Sequence, residues 1–172
     1  MNQQFIDDYE RFTPDKYKIV PFIIRYIRNH ELRYVYWGRK LQYAKTRFGK
    51  IVACAVIHQY RRKYGLEMNF KNVCGGGIRL IHPWMITVNA NAVIGRHVTL
   101  FKGVTIGVIE HGEKAGNPMI GHHVTICANA TICGRITIGN NSWIAAGSFV
   151  NFDVLANSLA IGNPGVIHRK KE

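Results

Sequence analysis

The sequence predicts a mainly β protein in which a parallel β-helix of six-residue repeats follows an α-helical segment. An aliphatic residue recurs at every sixth position through most of the second part of the chain. A series of small or β-branched residues follows four positions after each of them. The first part lacks this period and is rich in basic, aromatic and helix-forming residues. These observations divide the chain into a helical segment over 1–65 and a β-helix over 66–172.

Length and composition allow one ordinary domain with a small appendage. The chain has 172 residues, 47% of them apolar, so it can bury a core. Its longest apolar runs, Ile19–Ile24 and Ile51–Ile57, are far shorter than the roughly 20 residues that span a bilayer. No secretory signal is visible, and a cytoplasmic location is expected. The four cysteines form no CxxC pair, so we expect small buried packing residues rather than disulfides.

The positive charge is concentrated in the N-terminal segment. The formal charge is +13, and residues 1–65 contribute 14 Lys and Arg against 5 Asp and Glu, together with 13 of the 19 aromatic residues. Such a segment suits nucleic acid, an anionic membrane surface or an acidic glycan. It equally suits helices whose aromatics pack inward beneath a solvated face. Of the partners, we expect peripheral contact with the inner face of a membrane and no nucleic acid.

Several signals place helices in the N-terminal segment. Thr13-Pro14-Asp15 combines a capping residue with a proline at the first helical position. Pro21 predicts a short helix or a kink. Two further helices are predicted over about 31–47 and 50–64, the second ending at Gly65. One side of that last helix is predicted to consist of Ile51, Val52, Ala55, Val56, Gln59 and Tyr60.

The six-residue period is strict over two runs. The large aliphatic residues are Val88, Ile94, Leu100 and Ile106, then Ile120, Ile126, Ile132, Ile138, Ile144 and Val150. The second series consists of Ala92, Val98, Val104, Val124, Ala130, Ile136, Ser142, Ser148 and Val154. Three short strands make one turn of a triangular prism, so large residues of successive coils stack into one core, with small residues near the corners. An amphipathic helix cannot give period six, and a hairpin meander gives period two.

The period is broken twice. Ile106 and Ile120 are 14 residues apart, so about eight residues are inserted, in a loop over about 108–118. Upstream, the two aliphatic positions that flank His82-Pro83 are eight residues apart instead of six. Solenoids that interrupt their own register usually do so where a partner or substrate binds.

Five motifs occur in a specific order along the β-helical part. They are Ile81-His82-Pro83, Gly103-Val104-Thr105-Ile106-Gly107, Ile120-Gly121-His122-His123-Val124-Thr125-Ile126, Ile144-Ala145-Ala146-Gly147-Ser148 and Ile161-Gly162-Asn163-Pro164-Gly165. From Glu67 to about Ile167 the chain thereby resembles the hexapeptide-repeat acyltransferases, in their serine acetyltransferase-like branch, and is similar to the polysaccharide and capsule O-acetyltransferases. The resemblance implies a left-handed β-helix, a homotrimer with active sites between neighbouring subunits, and acetyl-CoA as co-substrate.

The same resemblance implies a catalytic base and a partner for it. The family's catalytic histidine falls on His82, and the acid that orients it, 15 positions earlier, falls on Glu67, where the relatives compared have Asp. A neutral imidazole can take the proton that an alcohol loses as it attacks a thioester. A carboxylate would fix the tautomer and stabilise the imidazolium. The alternative for His82 is a turn histidine without a role.

The resemblance also implies where acetyl-CoA and the acceptor bind. Acetyl-CoA lies along a groove between coils, at Gly107, Ala128, Ala146 and Gly147, and a basic tail with Arg169 and Lys170 meets the CoA phosphates. The candidates for contact with the acceptor are Trp84, Lys102, His111 and Asn117. Carbonic anhydrases of this fold hold a metal with three histidines, but the matching places are near Ala128 and Cys133, so no metal is expected.

Departures from the family pattern bear on the acceptor. Serine acetyltransferases have an acid just before the catalytic histidine and an Arg-His-Pro at the end of the loop, which hold the amino group and carboxylate of serine. This chain has Ile81 in the first place and Gly116-Asn117-Pro118 in the second. A buried zwitterion without those partners is penalised, whereas a neutral polyol is not. The favoured acceptor is therefore a hydroxyl of a sugar or surface polysaccharide precursor; the alternatives are serine O-acetylation and a non-catalytic scaffold.

Overall fold

The computed structural model describes residues 2–13, 16–70 and 74–169. It begins with four helices, α1 (Gln3–Phe12), α2 (Ile19–Arg28), α3 (His30–Gln42) and α4 (Arg47–Tyr64). The side chains of Asn2, Asn29 and Thr46 accept backbone N–H groups in the first turns of α1, α3 and α4. As predicted, α4 stops at Gly65, whose φ of 65° is a conformation that glycine adopts without strain. Within the described ranges, no helix is long and apolar enough to cross a membrane.

Of the predictions made from the first two prolines, only the short helix at Pro21 is met, since α2 has ten residues. Thr13 is the C-cap of α1 and not the start of a helix, and Pro14-Asp15 lies outside the described residues. Pro21 neither ends nor interrupts α2, because it lies in the first turn. A backbone N–H there has no partner within the helix, so proline removes no hydrogen bond.

The helices bury their apolar surface in two places. The cluster shared by α1, α2 and α3 consists of Phe5, Tyr9 and Leu32, with Phe12, Tyr17, Phe22 and Tyr36 packed against it. On α4, Ala53 is buried, and Ile57 and Tyr60 pack against the core of the β-helix. The side of α4 named from the sequence is not the buried one, since Ile51, Ala55 and Gln59 are exposed. The helix docks through an i, i+4, i+7 series that starts at Ala53, and its sequence is apolar enough on both sides to permit either orientation.

Thirteen short strands follow within the described residues. They are β1 (Arg79–Ile81), β2 (Thr87–Val88), β3 (Val93–Ile94), β4 (Thr99–Phe101), β5 (Thr105–Gly107), β6 (Met119–Ile120), β7 (Thr125–Ile126), β8 (Thr131–Cys133), β9 (Thr137–Ile138), β10 (Trp143–Ile144), β11 (Phe149–Val150), β12 (Ser158–Ile161) and β13 (Val166–Arg169). The first face of the prism contains β1, β4, β7, β10 and β12, the second contains β2, β5, β8 and β11, and the third contains β3, β6 and β9. Every pair within a face is parallel, which is the arrangement that the six-residue period predicts.

The two six-residue series fill the interior of the prism. Each of the ten large aliphatic residues is at most 8% exposed, and equivalent residues of successive coils are paired, as Leu100 is with Ile126. Every residue of the second series is at most 4% exposed. Its buried serines are satisfied, since the hydroxyl of Ser142 donates to the carbonyl of Leu155 at 2.8 Å. The predicted core is therefore confirmed.

The prediction that the cysteines are buried packing residues holds for Cys74 alone. Cys54 is exposed, and Cys127 and Cys133 are half-buried. Each of the latter two directly follows an inward-facing isoleucine of the period. Successive side chains of a strand point to opposite faces, so both thiols lie on the outside of the prism.

Both ends of the β-helix are covered. At the N-terminal end the side chains of Asp8 and Arg39 are 0% and 3% exposed, with the Arg39 Nε 2.7 Å from the Asp8 carboxylate. Arg39 also donates to the carbonyls of Cys74 and Gly75, and Asp8 accepts the N–H of Ile78, so this pair joins the helices to the first coil. Burial raises the pKa of Asp8, and the adjacent guanidinium opposes that rise. At the C-terminal end, β13 turns back and pairs antiparallel with β12.

Candidate active site

The first break in the period is a two-residue insertion at the end of β1. Ile81 is still in register with β4. The alignment resumes where the N–H of Gly103 donates to the carbonyl of Trp84 at 2.8 Å, which sets Trp84 beside Lys102. His82-Pro83 is thus the pair of residues for which the next coil has no counterpart. The predicted register slip is confirmed at these residues.

The insertion gives His82 its unusual backbone and its exposed side chain. Its φ is 48°, a left-handed conformation that costs a residue other than glycine about 1–2 kcal/mol. Six other non-glycine residues among those described have positive φ, and each occupies a turn position that repeats from coil to coil. His82 has no such repeated counterpart in the described part of the chain. The ring is exposed while Pro83 is buried beneath it. Backbone strain at an isolated position is typical of a functional site.

Four predicted site residues stack along the corner that His82 begins. This corner strip consists of Trp84, Lys102, Ala128 and Ala146. Backbone hydrogen bonds align them, from Asn129 to the carbonyl of Lys102 at 3.0 Å and from Gly147 to the carbonyl of Ala128 at 2.9 Å. With coils about 4.8 Å apart, the strip is about 14 Å long. Lys102 and Gly147 are exposed, and a Cβ on Gly147 would meet nothing within 4 Å, so the strip is open to a ligand.

Glu67 lies near this corner but is bound to another residue. It is on the second face, paired with Thr87 of the next coil. Its carboxylate accepts a hydrogen bond from Arg61 Nε at 2.9 Å, with the Arg61 and Glu67 side chains 59% and 42% exposed. Among the described residues, no hydrogen bond joins Glu67 to His82. The predicted orienting role of Glu67 stays a prediction, and Arg61 is its competitor for the carboxylate.

The second break is a loop anchored at another corner of the prism. It leaves β5 and returns to the third face at β6, with Ile109 and Gly116 paired across its base. The carbonyl of Lys114 accepts the N–H of Arg135 at 2.9 Å, and the Lys114 ammonium donates to the carbonyl of Asn151 at 2.7 Å. The loop is therefore fixed against the two following coils.

Within one chain the loop and His82 are far apart. His82 follows the first face and the loop follows the second, so a whole face of roughly 15–20 Å separates them. Gly107, His111 and Asn117 all belong to the loop corner. His111 is exposed, whereas the side-chain oxygen of Asn117 is buried with no hydrogen-bond partner among the described residues. Gly107 and Ala128 belong to different corners of one chain, and the expectation that both line the acetyl-CoA groove stays a prediction.

The basic tail is only partly described. Lys170 lies outside the described residues, and Arg169 is seen as the last residue of β13. Their contact with the CoA phosphates stays a prediction.

Two thiols flank the predicted cofactor positions. Cys127 precedes Ala128, and Cys133 is paired with Gly107. Burial raises the pKa of both thiols; at Cys127 this is opposed by the indole N–H of Trp143, which donates to the sulfur at 2.8 Å. A raised pKa keeps a thiol protonated at neutral pH, and a thiol is a poor nucleophile.

Arg135 is a candidate that no motif or repeat position of the sequence marks. A Cβ on Gly116 would lie 2.9 Å from the Arg135 Cβ and 3.4 Å from its Cγ, so the Arg135 stem lies across Gly116. Its guanidinium donates to the carbonyl of Glu113 at 3.2 Å and is exposed. The next coil thus supplies a cation to the loop, whereas the family pattern has an arginine within the loop itself. The six-residue period could not reveal this, because it does not describe the path of an inserted loop.

The described residues form a parallel β-helix of hexapeptide repeats, with a histidine at one register break and a loop at another corner. No family model matches the chain. Serine acetyltransferase 2 of Arabidopsis thaliana is 34% identical to it over 125 residues, which cover 72% of this chain and 38% of the relative. The crystal structure of Neisseria gonorrhoeae serine acetyltransferase superposes with a TM-score of 0.79 at 25% identity, over 99% of this chain and 66% of that one. A serine acetyltransferase in complex with CoA superposes with a TM-score of 0.69 at 26% identity, over 80% and 57%.

These similarities confirm the predicted fold class, a mainly β, left-handed parallel β-helix with N-terminal helices. They also confirm the resemblance to serine acetyltransferases. The narrower resemblance to polysaccharide O-acetyltransferases is not shown. The chain spans between 30% and 62% of the length of the curated relatives it matches.

Proposed function

We propose that the chain is an acetyl-CoA-dependent O-acetyltransferase in which His82 is the general base. The observation that carries this is the insertion that lifts His82 out of a regular coil, beside the corner strip, in a chain similar to serine acetyltransferases. As the acceptor oxygen attacks the thioester carbonyl, the imidazole takes its proton. The carbon–sulfur bond then breaks, and the imidazolium returns the proton to the CoA sulfur.

The corner strip suits acetyl-CoA. Ala128, Ala146 and Gly147 project no side chain beyond a methyl group, so an extended pantetheine can approach the backbone there. The length of the strip, about 14 Å, allows such a ligand to extend over several coils while its thioester lies near His82. Lys102, which is exposed in the middle of the strip, supplies a cation for a phosphate or a carbonyl oxygen.

We infer that each active site is shared between two chains. His82 and the loop lie at different corners of the same prism, so they cannot both contact one small acceptor within a single chain. They can meet if the loop corner of one copy packs beside the His82 corner of another. A closed ring with three such contacts is a homotrimer, which the family resemblance also implies.

The acceptor that the comparisons support best is serine. The sequence favoured a sugar hydroxyl and left serine as an alternative. The relatives described above are named serine acetyltransferases. Arg135 answers the main objection to serine, because its stem lies across Gly116 and its guanidinium lies at the carbonyl of Glu113, in a loop that has no arginine of its own. A guanidinium can hold a carboxylate in a bidentate contact. We therefore propose serine O-acetylation, with Arg135 as the carboxylate-binding residue.

A sugar hydroxyl is the second candidate, and one observation favours it. Ile81, which directly precedes His82, is an aliphatic residue, so the chain offers no carboxylate there for an ammonium group. The unpartnered oxygen of Asn117 is a neutral acceptor, which suits a hydroxyl donor as well as an ammonium.

Thiol release from acetyl-CoA by the purified chain, with L-serine and separately with a panel of sugars, tests both candidates. His82→Asn tolerates the left-handed backbone and should lower the rate by about 10²–10⁴-fold. His97→Asn is the matched control, since His97 is also a histidine with positive φ (57°) but lies at the third corner, and it should keep the rate. A His82→Asn variant that remains near wild type would refute the mechanism.

The acceptor is then decided by Arg135→Gln. With serine as acceptor, we expect KM for serine to rise about tenfold or more while KM for acetyl-CoA stays unchanged. Arg62→Gln, an exposed cation on α4, is the control. Turnover with a sugar that is faster than with serine and is insensitive to Arg135→Gln would establish the second candidate instead.

A further inference from the structure

The outer side of α2 is the most apolar exposed surface among the helices. This surface, called the α2 aliphatic face, consists of Ile19, Val20, Ile23, Ile24 and Ile27, which are between 50% and 67% exposed. At about 100° per residue these side chains cover an arc of roughly 140°. Phe22 and Tyr26, on another side of the helix, contact each other and the ring of Tyr36. α2 is therefore held by its aromatic side and presents its aliphatic side to the outside.

The segment that carries this face has charged residues of one sign. Residues 16–28 contain four basic residues, Lys16, Lys18, Arg25 and Arg28, and no acidic residue. Lys16, Lys18 and Arg28 are exposed. The two lysines precede the helix and Arg28 is its last residue, so positive charge is present at both ends of the aliphatic face. An occupant of this surface must accept apolar side chains and also carry negative charge.

We propose that the α2 aliphatic face binds an anionic lipid surface, with its aliphatic side chains among the acyl chains and its basic residues at the headgroup phosphates. A ten-residue helix is about 15 Å long, so α2 lies in the plane of the interface. A second copy of this chain is a poorer occupant. Packing two such faces together would bring eight basic residues into proximity with no acidic residue from either segment to offset them. This proposal is independent of the acetyl-transfer proposal, since no residue of α2 belongs to the active site.

Sedimentation of the full chain with vesicles tests the proposal. We expect it to bind vesicles of phosphatidylcholine with 30% phosphatidylglycerol, and to bind pure phosphatidylcholine vesicles at least tenfold more weakly. The variant Ile23→Glu/Ile27→Glu should lose at least tenfold in binding, because two charges would enter the apolar boundary. The control Ile51→Glu/Leu155→Glu adds the same charge at aliphatic side chains that are 66% and 60% exposed elsewhere, and should bind as the wild type does.

Three results would overturn the proposal. The first is a wild type that does not sediment with the anionic vesicles. The second is equal binding by Ile23→Glu/Ile27→Glu, which would mean that another basic surface is responsible. If light scattering shows that this variant breaks a wild-type assembly that does not bind vesicles, the face is covered by a second copy. Circular dichroism spectra that match those of the wild type establish that the variant is folded.

Discussion

Replacing Arg39 by methionine tests how the helices are attached to the β-helix. The guanidinium is 3% exposed and donates to both oxygens of Asp8, at 2.7 and 3.1 Å. It also donates to the carbonyls of Cys74 and Gly75 at 2.8 and 2.6 Å. Methionine fills most of the space of the stem but donates no hydrogen bond. The substitution therefore leaves a buried carboxylate without its cation and two carbonyls without a donor.

The magnitude follows from those contacts. Removing one partner of a buried ion pair costs about 3–5 kcal/mol, a large part of the free energy of unfolding of a domain this size. The double variant Asp8→Leu/Arg39→Met no longer contains the stranded charge. It should therefore be more stable than Arg39→Met alone by about 1 kcal/mol or more, so that the two changes are not additive.

The pH dependence has a defined sign. Burial already raises the pKa of Asp8, and the loss of Arg39 removes a group that opposes the rise. In the variant, the folded state therefore keeps a proton that the unfolded chain loses above its ordinary pKa of 3.8. Stability then falls as pH rises through the folded-state pKa of Asp8. Arg39→Met should lose more stability relative to the wild type at pH 8 than at pH 5.

Urea unfolding followed by far-UV circular dichroism at both pH values measures these effects. Arg47→Met, which changes an exposed cation at the start of α4, is the control and should lie within about 0.5 kcal/mol of the wild type. A loss below about 1 kcal/mol for Arg39→Met, or a double variant less stable than the single one, would refute the reasoning.

Gly38→Ala should lower the free energy of unfolding by about 1–3 kcal/mol, because its Cβ would overlap the Phe70 ring. A melting temperature equal to that of the wild type would contradict this. Burial lowers the pKa of His97, and the charge of a neighbouring histidine lowers it further. The unfolded chain therefore binds a proton more readily than the folded one, and the wild type should lose stability as pH falls through 6.5. His97→Asn should lose less between pH 7.5 and 5.5, as measured by urea unfolding. Two inactive variants should complement each other when refolded together in equal amounts: His82→Asn, and a chain whose residues 110–115 are replaced by two glycines. Random pairing gives a quarter of the shared sites both an intact His82 and an intact loop, so about one quarter of wild-type activity should return. No gain over the separate variants would argue against a shared site.

The six-residue period predicts the coils because the aliphatic side chain at each inward position is enough to place that position in the core. It also predicts which residues stack, since one coil takes three repeats. Ala128 and Ala146 are 18 residues apart and lie in neighbouring coils, as do Trp84 and Lys102. The breaks in the period located the insertion at His82-Pro83. Local chemistry and spacing are enough for these features.

Other parts of the structure depend on contacts that no local pattern encodes. The Asp8–Arg39 pair joins residues of different helices, and nothing in either helix marks its charged residue as buried. On α4, the position of the β-helix decides that Ala53 is inside and Ile51 is outside. Arg135 lies over the loop because the loop is fixed against later coils. Predicting any of these contacts requires the positions of the helices, the loop and the coils relative to one another, and the six-residue period does not give them.

The covered ends of the β-helix also limit what the fold can assemble into. A stack of parallel coils ends in a strand edge, and another chain could in principle extend it there without limit, as fibrils grow. The antiparallel return of β13 occupies the free edge of β12. At the opposite end, the side chains of Asp8 and Arg39 take up the N–H of Ile78 and two carbonyls of the first coil. These contacts oppose extension of the coils at the edge of β12 and at the first coil, whereas side-by-side association through the corners of the prism needs neither edge.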